Sequence, residues 1–162
     1  MKAGVCNLVK RYRYGILALT ALGCSALAGY SLFFKPQIPE CRAVMHVTDS
    51  VGGRSVDRVV LVGIVPDGRR RITLLLNGRV NDGNNRYVIE RIVIMEYRRQ
   101  GSNYTLHVEK SIRKAFDSLE PGNLNRRLPA EGQLLHWRIE RIDSRHFLFV
   151  DNHAPLFVCS TL

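Results

Sequence analysis

The feature that most constrains this chain is a run of twenty positions without a charged residue, from Gly15 to Phe34. About 20 helical residues cross a bilayer core, because each adds about 1.5 Å and the core is about 30 Å thick. Four basic residues and no acidic residue precede the run, and a single Lys follows it. Excess positive charge stays on the cytoplasmic side of a membrane. The sequence therefore predicts a cytoplasmic basic tail at residues 1–13, a transmembrane anchor at 14–34 and an exported domain at 35–162.

Three other interpretations of the apolar run remain open. Ala26 and Ala28 form the small-residue pattern at which a signal peptide is cleaved. Cys24, at the end of Ala21-Leu22-Gly23-Cys24, resembles the acylated cysteine of a lipoprotein. A buried helix of a soluble core is the third. The run stays apolar beyond Cys24 and Ala28 and has no polar face, so we favour an uncleaved, single-pass anchor with an exported C-terminal domain.

Small residues recur at every fourth position of the predicted anchor, at Ala21, Ser25 and Gly29. This spacing places them on one face of a helix, where small side chains let two helices approach closely in lipid. The stripe is therefore a candidate packing site for another membrane helix. Small residues are also common in membrane spans, so a stripe without a partner is the alternative.

The cysteines follow from the predicted topology. Cys6 lies on the cytoplasmic side, Cys24 lies within the membrane, and Cys41 and Cys159 share the oxidising compartment outside the cytoplasm. The sequence predicts a disulfide between Cys41 and Cys159, at the two ends of the exported domain. Two buried free thiols are the alternative. A metal pair is less favoured, because neither residue has another ligand at the usual spacing.

Beyond Pro36 the hydrophobic pattern repeats every two residues, which is typical of β-strands. Turn sequences such as Pro66-Asp67-Gly68 and Asn81-Asp82-Gly83-Asn84-Asn85 separate the runs. The predicted strands are Cys41–Thr48, Asp57–Val65, Ile72–Val80, Tyr87–Tyr97, Tyr104–Glu109, Leu135–Glu140, Phe147–Val150 and Leu156–Cys159. Short connections favour an antiparallel meander, and about eight strands must close to hide their edges. We predict an all-β domain forming a small lipocalin-like barrel, with a two-layer β-sandwich as the alternative.

One region departs from the strand pattern. The segment Ser111 to Gly132 is rich in Pro, Gly and Asn and is predicted to be a long loop that holds a short helical turn. Long loops often carry function. This loop is therefore a candidate contact surface.

Arg91 is the most informative charged residue. Tyr87, Ile89, Val93 and Met95 alternate along the fourth predicted strand, and strict alternation places Arg91 on their inward face. A buried charge is costly unless it is paired. Arg91 is therefore predicted either to form a structural ion pair, to turn outward at a β-bulge, or to contact an anionic ligand inside the barrel.

The sequence contains no pattern typical of catalysis. None of the five histidines pairs with another at metal-ligand spacing, and we find no nucleophile elbow or phosphate-binding loop. We therefore predict no enzymatic activity, no metal and no cofactor. The net charge of +10 favours anionic partners, but an exported domain has no direct access to nucleic acid.

Several short motifs carry a resemblance to a known family. They are the anchor, Cys41, Leu76-Asn77-Gly78-Arg79-Val80-Asn81-Asp82-Gly83, Val88-Ile89-Glu90-Arg91, Glu109-Lys110-Ser111-Ile112 and Pro155-Leu156-Phe157-Val158-Cys159. In this order the chain resembles the FidL-like membrane proteins of enteric bacteria. The resemblance runs from the anchor to the C-terminal strand and transfers no catalytic or binding residue.

The resemblance implies a role beside a membrane-spanning winged-helix regulator of the ToxR type. By a looser analogy, the small companions of such regulators have an anchor and an external β domain, and some of these pairs bind bile salts. The expected function is a single-pass accessory protein of the bacterial inner membrane, whose periplasmic β domain binds and modulates the regulator. The alternative is a periplasmic module that binds an amphiphile, such as a bile salt or a lipid, on its own.

Overall fold

The computed structural model describes residues 3–33, 38–51, 54–68, 70–120, 122–125, 128–152 and 154–161. The chain divides into two compact units, Met1–Lys35 and Pro36–Leu162. The first unit contains one long helix and the second contains all the strands that the structure describes.

The first unit consists of helix α1, Ala3–Phe33. The helix begins well before the predicted anchor at residues 14–34, because Lys and Arg are good helix formers and extend it through the basic tail. Phe34, the predicted last residue of the anchor, lies outside the described residues. Within the part of the chain that the structure describes, we find no helix both long enough and apolar enough to cross a membrane.

The second unit is built from eight strands and one short helix. The elements are β1 Cys41–Val51, β2 Arg54–Pro66, β3 Arg71–Asp82, β4 Asn85–Gln100, β5 Asn103–Arg113, α2 Gly122–Asn125, β6 Leu134–Arg141, β7 His146–Asp151 and β8 Ala154–Ser160. Each predicted strand has its counterpart here.

The strands pair antiparallel in sequence order and form a closed barrel. The predicted all-β antiparallel barrel is confirmed, and the two-layer sandwich is wrong. Along the last seam, between β1 and β8, the described residues form one backbone pair, Arg42 with Ser160. The predicted disulfide is present beside that pair, where Cys41 and Cys159 have their Cα atoms 5.6 Å apart.

The two ends of the barrel differ. The end at which β1 begins holds the disulfide, and we call it the cystine end. The opposite end, which we call the loop end, holds the β3–β4 turn and the connection between β5 and β6, residues 114–133, which we call the capping segment. The buried side chains fill the space between the two ends. Ile38, at 0% exposure, packs into this core just before β1 begins.

Two hairpins turn at the glycines that the sequence marks. In the β3–β4 hairpin, Asp82 pairs with Asn85, and Gly83 has a φ of 59°. In the β4–β5 hairpin, Gln100 pairs with Asn103, and Gly101 has a φ of 64°. A glycine with a positive φ at the first of the two turn residues is typical of the type II′ hairpin, whose twist matches that of the strands.

Gly78 lies in β3 at a point where the neighbouring strand leaves no room for a side chain. A Cβ atom there would collide with the carbonyl oxygen of Val59 and lie 2.9 Å from the Cα atom of Val60. Both contacts are to backbone of β2, which cannot move without disturbing the barrel. Glycine at this position therefore permits close approach of β2 and β3.

We expect Gly78→Ala to lower the free energy of unfolding by about 1–3 kcal/mol, the usual effect of forcing extra atoms into a packed site. Gly63→Ala is the matched control, since its Cβ would first meet Leu75 at an ordinary 3.5 Å. Denaturant unfolding of both variants measures the difference. Equal losses in the two variants would show that Gly78 is not a packing constraint.

Replacing both Cys41 and Cys159 with Ala should also destabilise the barrel. The bond closes a loop with a sequence separation of 118 residues. In the chain-entropy model such a crosslink contributes about 4–5 kcal/mol by restricting the unfolded chain. Cys24→Ser, which removes a free exposed cysteine of α1, is the control. An unchanged unfolding midpoint in the double variant would contradict the assigned role of the bond.

Candidate functional site

Arg91 lies in β4 with its side chain inside the barrel, where the residue is 5% exposed. Ile89 and Val93, its neighbours on the inward face, are also buried, so the alternation is unbroken here. The register does shift farther along the same pair of strands, between Ile94 and Met95. That irregularity does not turn Arg91 outward.

Asp117 of the capping segment meets Arg91 inside the barrel, with a side chain that is 0% exposed. Arg91 donates from Nε to Oδ2 at 2.7 Å and from Nη2 to Oδ1 at 3.2 Å. Arg113 donates from Nε to Oδ1 at 3.2 Å. The backbone N–H groups of Glu90 and Leu119 donate to the same carboxylate at 3.1 and 3.2 Å. Both carboxylate oxygens are therefore bonded, which a buried charge requires.

The burial of Asp117 tends to raise the pKa of its carboxyl group. The hydrogen bond from Arg91, the bond from the Glu90 backbone and the positive charge of Arg91 outweigh that effect, so the pKa lies below its usual value of 3.8. Asp117 is therefore ionised at neutral pH, with Arg91 and Arg113 on either side of it. Two guanidinium groups share one carboxylate, so the group of three carries one net positive charge.

The capping segment also continues the hydrogen bonding to β4 beyond the end of β5. β5 ends opposite Arg91, and β4 continues toward the loop end without it. There the N–H of Lys114 donates to the carbonyl of Glu90 at 2.9 Å, and the N–H of Ser118 donates to the carbonyl of Val88 at 3.0 Å. The segment thus satisfies backbone groups that the end of β5 leaves open.

Three leucines of the capping segment close the interior at the loop end. Leu119 and Leu124 are each 1% exposed, and Leu128 is 7% exposed. The described residues of the predicted loop at 111–132 therefore form, for the most part, a cap that includes α2. Its first three residues, 111–113, belong instead to β5.

A cavity of about 320 Å³ lies inside the barrel. Its wall combines inward-facing side chains of the strands with residues of the capping segment. The lining residues are Met45, Val60, Val62, Leu74, Leu76, Leu128, Pro129, Gln133, Leu135, Trp137, Asp151, Leu156 and Phe157. Arg91 is not among them. Ligand sites in proteins range from about 300 to 1,000 Å³, so the cavity is at the small end of that range.

A second buried arginine accompanies Arg91. Arg58 of β2 is 7% exposed and donates from Nη2 to Asp49 Oδ2 at 2.8 Å. The alternation that predicts an inward Arg91 applies equally to Arg58, which lies between Val56 and Val60. Asp117 carries no comparable local signal, because it lies outside the strands and 26 residues from Arg91.

Two histidine–aspartate pairs lie on the outer surface. His46 Nε2 is 2.7 Å from Asp57 Oδ1, and His146 Nδ1 is 2.8 Å from Asp143 Oδ2. The two histidine side chains are 64% and 45% exposed, and none of the four residues lines the cavity described above. Neither pair forms a recognisable active site by its position.

The small-residue stripe lies on α1. Ala21 and Ser25 are exposed and Gly29 is half-exposed. The Ser25 hydroxyl donates to the Ala21 carbonyl at 2.8 Å, a hydrogen bond within the helix. A Cβ atom on Gly29 would meet nothing within 4 Å. Packing of this face against another helix stays a prediction.

No model of a protein family matches the chain, and no curated protein matches it either.

Replacing Asp117 with Asn should destabilise the protein by about 3 kcal/mol, because it removes the charge that compensates a buried guanidinium. Glu140→Gln, which breaks the half-exposed pair with Arg138, is the control and should cost about 0–1 kcal/mol. Denaturant unfolding at neutral pH measures both variants.

The pH dependence provides a second test of Asp117. Its folded pKa lies below the usual 3.8, so its stabilising effect is complete above that value. The effect is lost as the pH falls through the lower, folded pKa. We therefore expect the stability difference between the native chain and Asp117→Asn to shrink as the pH falls below about 4. A difference that stays constant with pH would contradict the ion pair.

Proposed function

We propose that this chain is a non-enzymatic accessory protein of a bacterial inner membrane. Its exported β domain would bind and modulate a membrane-spanning winged-helix transcription regulator of the ToxR type. We also propose that the chain is a FidL-like protein, on the motifs given above. The observation that carries the proposal is a disulfide-closed barrel in one unit, joined to a helical unit whose apolar side chains are exposed.

The membrane anchor is part of this proposal. Leu17, Leu19, Leu22 and Leu27 of α1 are each between 63% and 73% exposed. A lipid bilayer is one environment that covers such a surface. The proposal of an anchor is based mainly on the sequence and not on the described part of α1 alone. The uncharged run from Gly15 to Phe34 has the length that a bilayer requires.

The disulfide supports a periplasmic location for the barrel. Structural disulfides persist in oxidising compartments and are rare in the cytosol. The excess of basic residues before the apolar run favours the same topology, with the N-terminus in the cytoplasm.

The capping segment offers a contact for the regulator. Phe116 is 78% exposed, and it immediately precedes the fully buried carboxylate of Asp117. Exposed aromatic residues are frequent energetic anchors of interfaces. The hydrogen bonds of Asp117 hold the adjoining backbone, which lowers the conformational freedom lost on binding. The outer side of the β1–β8 seam offers a second contact, where Val44 is 68% and Val158 is 46% exposed.

Modulation follows from differential binding. A partner that contacts one conformation of the regulator more strongly than another shifts the population toward that conformation. The accessory domain would act in this way, with the Ala21, Ser25 and Gly29 face of α1 adding a contact between helices. The proposal needs no catalytic group, metal or cofactor.

In-cell crosslinking of the intact chain in its native host, followed by mass spectrometry, tests this function. We expect a membrane-spanning DNA-binding regulator to be recovered with crosslinks to the exported domain. Phe116→Ala should reduce that recovery at least about fivefold, as expected for an interface anchor. Ile142→Ala is the control, because Ile142 is also exposed, at 57%, and lies at the cystine end. Recovery of outer-envelope components alone would overturn the proposal.

The cavity favours a second candidate function, the binding of an amphiphile by the barrel alone. Its wall is apolar apart from Gln133 and Asp151, and its volume of about 320 Å³ admits a small ligand. Recovery of the intact chain without a protein partner would favour this function.

A further inference from the structure

We propose that the barrel cavity binds an amphiphile with one hydrocarbon chain and a cationic ammonium head group, which lies beside Asp151 and Trp137. This inference rests on the second candidate function and does not require a regulator. It goes further, because it assigns the sign of charge that the ligand carries.

The wall of the cavity fits a hydrocarbon chain. Val60, Val62, Leu74 and Leu76 line one side from β2 and β3, and each is at most 4% exposed. None of these side chains can form a hydrogen bond. Burial of a methylene group in such surroundings is favourable, by about 0.8 kcal/mol for each group removed from water.

The polar part of the lining is confined to one region at the loop end. Asp151 ends β7 there and is half-exposed, so the apolar wall meets solvent at this residue. Gln133 of the capping segment is the other polar residue of the lining. Its amide oxygen already accepts a bond from the N–H of Ala130 at 3.1 Å. Among the described lining residues, Asp151 is the one that carries charge.

The geometry around Asp151 suits an ammonium group. Asp151 is the cross-strand partner of Trp137, and both line the cavity. Among the described residues we find no hydrogen bond or ion pair to the Asp151 carboxylate. A cation is attracted to a tryptophan ring by the cation–π interaction and to a carboxylate by charge, so the two residues together favour an ammonium head group.

The buried arginines do not provide a matching site for an anion. Arg91 is bonded to Asp117, and Arg58 is bonded to Asp49. Neither arginine lines the cavity. An anionic head group at the loop end would instead lie near the negative charge of Asp151, which is repulsive.

Fluorescence of Trp137 provides a direct measurement, because it is the single tryptophan of the chain and it lines the cavity. The full chain, reconstituted in phosphatidylcholine nanodiscs, is titrated with octyltrimethylammonium, octyl sulfate and 1-octanol. The three probes share the same chain and differ in head-group charge.

We expect octyltrimethylammonium to bind at least about tenfold more tightly than octyl sulfate. Asp151→Asn should raise its Kd about fivefold, the effect of losing a partly exposed charge pair, and should leave 1-octanol within about twofold. Asp67→Asn removes an exposed carboxylate of the β2–β3 connection and is the matched control. It should leave the Kd of octyltrimethylammonium and that of 1-octanol unchanged. Val62→Phe, which fills the cavity, should weaken all three probes.

The other outcomes are distinguishable. Tighter binding of octyl sulfate, or an unchanged Kd for octyltrimethylammonium in Asp151→Asn, would overturn the head-group assignment and retain amphiphile binding. A Trp137 emission that responds to none of the probes would overturn both, and the accessory role would be unaffected. A response that persists in Val62→Phe would show that the probes bind elsewhere, which also overturns the proposal.

Discussion

Closure of the barrel depends on a single seam between its first and last strands. The other strand pairs are neighbours in sequence, and all of them except β5 and β6 are joined by short turns. β1 and β8 have no such connection, and their described residues share one backbone pair. The disulfide adds a covalent link where backbone hydrogen bonding between the two strands is short. It also keeps the inward faces of both strands against the same core.

Asp117 performs a comparable task at the other end of the barrel. β5 is too short to accompany β4 to the loop end, and the capping segment covers the difference. The Asp117 carboxylate fixes that segment to two arginines and to the backbone N–H of Glu90. The same segment then contributes Leu128, Pro129 and Gln133 to the cavity. Part of the cavity wall therefore depends on an ion pair that does not itself line the cavity.

The sequence predicts those features that depend on local pattern. Alternation and turn residues locate the eight strands, and alternation alone places Arg91 inside. Pairings between distant residues are not predictable in this way: Asp117 lies 26 residues from Arg91, in a segment with no periodicity. The constraint on Gly78 arises from the backbone of the neighbouring strand β2. The cavity exists because the inward side chains occupy slightly less volume than the barrel encloses. Neither has a local signal in the sequence.

The position of the disulfide has a consequence for the order of assembly. Synthesis proceeds from the N-terminus, so Cys41 emerges 118 positions before the cysteine with which it pairs. Throughout that interval its thiol is available for exchange with oxidants or other proteins. The bond thus forms only after all the strands are present. A chain interrupted before β8 would therefore retain Cys41 as an unpaired thiol, because the cysteine with which it bonds lies in that last strand.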